Sequence, residues 1–210
     1  MSVKLITGTA ASSEGIIDAN GNVYTSEGLP EHPAAGGYYT CCGGPTAVVA
    51  AALATDTNLM TARFSAGSSR RAYVTKYRFV MTPATLGAAA GVAGQIALQR
   101  FTTATPTGGT ARTPNEQHEA EATATDMTDI RDSNAALTVT SVVFGTEIAR
   151  TVIPLFVANA GGFEWIYEPN YPTVLTPGDG ITLRTRVALA ATQTWVFAWT
   201  MHWFEKGVVV

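Results

Sequence analysis

Two alternating runs lie back to back near the carboxyl end of the chain. Along Ile181-Thr182-Leu183-Arg184-Thr185-Arg186-Val187-Ala188-Leu189, the residues Ile181, Leu183, Val187 and Leu189 share one parity, while Arg184 and Arg186 take the other. In the run that follows, Trp195, Phe197, Trp199, Met201 and Trp203 share a parity. Side chains alternate faces along a strand, so each run carries an oily row. Rows of that size must be covered, which predicts a second sheet packed over them. Val196, Ala198 and Phe204 lie opposite the tryptophans. The last strand is therefore apolar on both parities, as expected of a subunit that neighbours cover.

From about residue 71 onward, strand patterns follow one another. Tyr73, Thr75, Tyr77, Phe79 and Met81 alternate with Val74, Lys76, Arg78 and Val80 until Pro83. Gln95 to Phe101 reads as a strand with Ile96 and Leu98 inward and Gln95 and Gln99 outward. Leu137 to Phe144, Ile148 to Val157 and Phe163 to Tyr167 are further strands, and Pro154 confines its run to an edge or a bulge. The polar stretch Asn115 to Asp132 predicts one helical turn or an edge strand. In Leu175-Thr176-Pro177-Gly178-Asp179-Gly180, proline and glycine set a tight turn into a strand beginning at Ile181. Short strands, frequent turns and no amphipathic helix predict an all-β fold, an antiparallel β-sandwich over residues 71–210.

Residues 1–70 read differently. Pro30, Pro33, Pro45 and the doublets Gly36-Gly37 and Gly43-Gly44 argue against long regular elements, so this segment is expected to be an extended N-terminal arm. One hairpin is expected, Ile16 to Ala19 pairing with Asn22 to Tyr24 around Asn20-Gly21. The stretch Asp18-Ala19-Asn20-Gly21-Asn22 resembles the start of a calcium loop, but Leu29 stands where the bidentate glutamate belongs, and the plain turn is preferred. A chain lacking residues 1 to about 45 is expected to fold without the arm's grip.

Composition sharpens the picture. Only 14% of residues are charged, against about 25% in ordinary soluble domains. So low a charge favours a surface largely covered by partner subunits. The net charge of −3 argues against a nucleic-acid partner. Arg63, Arg70, Arg71, Lys76 and Arg78 form a local basic cluster, read as one face of a strand rather than a polyanion site. Cys41 and Cys42 are adjacent and would point opposite ways along a strand, so two free thiols are expected. No signal-peptide core opens the chain, and the longest oily run, Ala47 to Ala54, is too short to span a bilayer. Synthesis in a cytoplasm, with no membrane partner, is the expectation.

Candidate chemistry is thin. His32, His118 and His202 stand apart in sequence, and the acidic neighbours of His118 lack the second histidine of a zinc-protease helix. Asp126, Asp129 and Asp132 recur every third residue; on a helix they would share a face and could bind a hard cation weakly, whereas in a loop they are more simply solubilising and turn-forming. Gly87 and Gly91 precede no Lys-Ser/Thr pair, so no phosphate loop is present. No cofactor, no metal and no enzymatic role are expected.

The order Gln99-Arg100-Phe101-Thr102, Gly108-Gly109-Thr110, Asp129-Ile130-Arg131, Ala135-Ala136-Leu137-Thr138, the Pro172 to Arg184 turn and strand, and the closing Trp203-Phe204-Glu205 covers roughly two-thirds of the chain. It resembles auxiliary head proteins of tailed bacteriophages, the decoration or cement proteins, which carry a jelly-roll-like β-sandwich. The resemblance implies a non-enzymatic subunit on the outer capsid surface of a virion. Its partners would be the major capsid protein lattice and its own copies, as a homotrimer. Tyr38, Tyr39, Arg70, Arg71, Arg78 and His202 are the candidate interface residues. The alternative is a phage fibre or tail module that recognises a host-surface glycan, with Tyr38, Tyr39 and Tyr171 as loop platforms.

Overall fold

The computed structural model describes residues 16–17, 23–24, 37–49, 54–85, 94–102, 105–117, 124–139, 143–153, 162–188 and 194–207. In chain order the strands are β1 (Ile16–Ile17), β2 (Val23–Tyr24), β3 (Tyr38–Val49), β4 (Asn58–Arg63), β5 (Arg70–Thr85), β6 (Gly94–Thr102) and β7 (Thr107–Ala111). They continue as β8 (Asn115–Glu116), β9 (Arg131–Thr138), β10 (Val143–Ile153), β11 (Phe163–Tyr167), β12 (Thr173–Leu175), β13 (Asp179–Val187) and β14 (Thr194–Gly207). Sheet I has the order β10-β6-β13-β4-β9-β7. Sheet II has the order β11-β5-β14-β3-β8, with β12 also paired to β5. All of these pairings are antiparallel, and the two sheets form the expected sandwich.

The core lies between the sheets. From β14 the whole predicted row, Trp195, Phe197, Trp199, Met201 and Trp203, is buried. Sheet I answers with Met60, Ala62, Leu98, Ile181 and Leu183, all fully buried. Each such side chain removed from water contributes roughly 1.5–3 kcal/mol. Aromatic neighbours add geometry to this burial. Tyr39 stacks on Trp203 at 5.6 Å and Tyr77 lies parallel to Trp199 at 6.5 Å.

Several expectations change. The hairpin pairs as expected, Ile16 with Tyr24 and Ile17 with Val23; the calcium-like stretch and the rest of residues 1–36 lie outside the described residues. The expected arm boundary at residue 70 does not hold, because β3 pairs with β14 and β4 lies between β13 and β9. A cut near residue 45 would remove about two-thirds of β3 (Tyr38–Val49). Gly43-Gly44-Pro45 does not end this strand. It forms a bulge where Phe197 pairs with Thr46 and Trp199 with Gly43, and Gly44 takes the positive φ of 97° that the bulge needs. Pro83 likewise lies inside β5, opposite Trp195 beside a register shift. The polar stretch does contain an edge strand, β8. The run Leu137 to Phe144 divides between β9 and β10.

The second parity of β13 is not a wet face. Thr182 is fully buried, and Arg184 is only 6% exposed. Arg184 donates to the Asp56 carbonyl at 3.2 Å and pairs with its carboxylate at 3.0 Å. A bulge between Thr185 and Val187 takes Val187 off the expected row, and it ends half-buried. At the start of β13, Pro177-Gly178 makes the expected turn. Gly178 has φ of 87°, the Asp179 amide donates to the Thr176 carbonyl at 2.9 Å, and the Asp179 carboxylate accepts from the Thr176 amide at 2.8 Å. The strand begins at Asp179, two residues before the expected start.

Gly43 is required by close approach. A methyl group there would lie 2.1 Å from Asp132 Oδ2 and 2.4 Å from Trp199 Nε1. Gly43→Ala should destabilise the protein by about 1–3 kcal/mol through overpacking, seen as a lower urea midpoint with an unchanged slope.

Candidate functional site

The outer face of sheet II is assembled in cross-strand rows. Tyr38, Phe204 and Tyr73 are direct partners across β3, β14 and β5. Phe204 and Tyr73 stack with centroids 4.7 Å apart and planes 3° apart, and Tyr38 tilts onto Phe204 at 5.6 Å. The next row is Thr40, His202 and Lys76; then come Cys42, Thr200, Arg78 and Ile166. Ala198 and Val80 follow, both half-buried. Beyond the first row, at the sheet's end, Arg71 faces Lys206 across β5 and β14, both exposed.

Strand parity sorts the expected interface residues. Tyr38, Arg71, Arg78 and His202 all lie on this outer face. Tyr39 and Arg70 do not: they turn inward, and this corrects their expected role. Tyr39 is 2% exposed and packs on Trp203. Burial, with Glu205 and Glu116 nearby, pushes its hydroxyl up to about 12. Nor are Tyr38 and Tyr39 in loops, since both belong to β3. Tyr171, 86% exposed, is the one of the three expected glycan platforms found in a loop.

Tyr73, Phe204, Lys76 and Lys206 complete the face and were not among the expected residues. Plain alternation puts Tyr73 with Tyr77. A register shift opposite His202 and Trp203 moves Tyr73 to the outer face, while Val74 and Tyr77 both point inward. Phe204 was legible from its parity opposite the tryptophans. Two of the cations have partners on the β11 side, Lys76 with Glu168 at 3.3 Å and Arg78 with Glu164. Partial burial, and then Lys76, lowers the His202 pKa from its ordinary value.

Beneath the face lie two buried carboxylates. Asp132 on β9 is fully buried and accepts from Trp199 Nε1 at 3.1 Å, across the gap between the sheets. Arg112 grips the same carboxylate with Nε at 2.8 Å and Nη2 at 3.1 Å. Glu205 on β14 is also fully buried. It accepts from Trp203 Nε1 at 3.2 Å, Arg70 Nη1 at 3.0 Å, the Asp126 amide at 3.0 Å and the Thr125 hydroxyl. Asp126 and Asp129 take separate partners, Asp126 with Arg70 at 3.3 Å and Asp129 with Arg63 at 3.8 Å. The aspartate triplet is therefore not a shared cation face, and Asp132 is not solubilising. Two of the five cations in the basic cluster, Arg63 and Arg70, are internal wiring.

Among the described residues, no three His, Cys, Asp or Glu side chains are placed to hold a metal ion. His32 and His118, Gly87 and Gly91 lie outside the described residues. No helix is long and apolar enough to cross a membrane, again among the described residues. Both cysteines are free, as expected, with Cys41 buried and Cys42 exposed on the outer face. Burial, then the neighbouring Cys42, pushes the Cys41 thiol up to about 12. Comparison with known families, curated proteins and solved structures finds no match to this chain.

Two outcomes follow from this geometry. Glu205→Ala leaves the Trp203 indole without its acceptor and removes the buried partner of Arg70, which keeps only Asp126 as a carboxylate, and should cost about 3–5 kcal/mol in chemical denaturation. A thiol reagent at neutral pH should modify Cys42 alone in the folded protein, and Cys41 only after denaturation; peptide mapping checks this.

Proposed function

We propose that the chain is a structural virion protein, a capsid decoration or cement subunit that binds the outside of an assembled head. The observation that supports this best is the outer face of sheet II. A solvated sheet face ordinarily carries alternating polar groups. This one carries a three-ring aromatic row, half-buried Ala198 and Val80, and Ile166 at 48% exposure. The low charge of the chain, 14%, points the same way.

A cement subunit works by adding contact area where lattice subunits meet. At ~25 cal/mol per Å², a footprint of several hundred Å² supplies on the order of 10 kcal/mol before association entropy is subtracted. No catalytic role is assigned, and a homotrimer would supply the neighbours that the resemblance implies. A glycan-binding module of a fibre or tail is the weaker proposal. Two of its three tyrosines sit on β3, and Phe204 has Tyr73 stacked on one face and Tyr38 tilted against it.

The test is co-sedimentation of the purified chain with assembled heads, with Ala198→Glu as the variant. Ala198 points outward and is half-buried. A charge there should weaken head binding about tenfold or more, without moving the thermal midpoint. Equal binding by the variant would remove this face from the contact, and absence of binding by the native chain would end the cement reading.

A further inference from the structure

We infer that the corner of sheet II built from Arg71, Lys206 and the Tyr38–Phe204–Tyr73 row docks an acidic peptide segment of a partner protein. The inference deepens the binding-face reading above and rests on it only for the choice of surface.

Charge placement carries the argument. Arg71 and Lys206 are direct cross-strand partners on neighbouring strands, and both are exposed. Like charges in that relation repel, so the free subunit is slightly worse for having them. Among the described residues neither has a carboxylate partner, whereas Arg70, Lys76, Arg78 and Arg112 all do. The nearest buried carboxylate, Glu205, is turned to the other side of β14 and taken by Arg70. In an acidic protein of net charge −3, this corner is an unneutralised positive spot beside an apolar row. A segment that supplies one or two carboxylates and an apolar side chain complements both halves.

The ring geometry decides between a peptide and an acidic sugar. A sugar stacks on an open ring face. Phe204 has Tyr73 stacked on one face and Tyr38 tilted at 49° against it, so the central ring of the row is taken up by its neighbours. The Tyr38 hydroxyl is buried and out of reach of a sugar. Ring edges carry partial positive charge and suit carboxylates and aliphatic groups. A nucleic acid needs a longer basic stripe than these two cations.

The test uses the full chain and a fluorescent Glu-rich peptide carrying one phenylalanine, followed by anisotropy at low and physiological salt. The comparison variants are Arg71→Glu/Lys206→Glu and the milder Arg71→Gln/Lys206→Gln, each checked for an unchanged thermal midpoint. The expected result is binding that weakens with salt, and about tenfold or more in the charge-reversed variant. Three results would overturn the inference: no peptide binding, equal binding by the variants, or tighter binding of polygalacturonate than of peptide. Self-association of the native chain that charge reversal abolishes would assign the corner to a second copy and also overturn it. Peptide binding without head binding would end the cement reading and leave this corner's assignment standing. Head binding retained by the charge-reversed variant would do the opposite.

Discussion

A carboxylate taken out of water must find donors, and in this protein that requirement ties the two sheets together. Asp132 projects from sheet I and meets the Trp199 indole of sheet II at 3.1 Å, with Arg112 completing its shell. Glu205 does the same at one end of the sandwich. It binds the loop residues Thr125 and Asp126, and that loop is in turn stitched to β4 by the Ser65 amide on Asp126 and the Arg63 amide on Asp129. Buried ion pairs are poor sources of net stability, because desolvation offsets most of their attraction. Their effect here is positional. Apolar rows alone can slide by a pair of residues at small cost, but a slide would strip Asp132 and Glu205 of their donors. Gly43 is part of the same constraint, since any side chain there would occupy the space in which carboxylate and indole meet.

This constraint also decides what is left for the outside. With one face of β14 given to tryptophans and Glu205, the other face holds Phe204, His202, Thr200 and Ala198, paired with β3 and β5 neighbours. Carboxylates on that face sit toward β11, as Glu164 and Glu168, while among the described residues Arg71 and Lys206 stand at the opposite end without one. The result is a graded surface: Arg71, Lys206 and the aromatic row at one end, Ala198 and Val80 further along, with polar rows between. A binding surface of that kind suits an assembly subunit better than a pocket-based function, and on this ground the proposed role rests.

Much of the fold was legible from alternation. The tryptophan row, the inward Ile96 and Leu98, the strand Phe163–Tyr167 and the Pro177-Gly178 turn all stand where periodicity and turn chemistry put them. Two of the departures come from bulges. A bulge adds a residue and reverses parity downstream, and single-sequence alternation carries no mark of it. Alternation groups Tyr73 with Tyr77, but a bulge opposite His202 and Trp203 turns Tyr73 outward, and Gly43-Gly44-Pro45, which argued against long regular elements, sits at a bulge inside β3. The aspartates failed differently. Spacing in sequence says nothing about partners, and Asp126, Asp129 and Asp132 each found a different arginine.

What the chain's own pattern determined, therefore, is the class of fold and the rows that must be covered, because alternating burial is a local property of successive residues. Tertiary structure alone decided which charges face inward and which outward. Arg70 and Arg71 are neighbours with the same chemistry, yet one is locked to Glu205 and the other is exposed beside Lys206. Only the pairing of β5 with β14, brought together from distant parts of the chain, separates them.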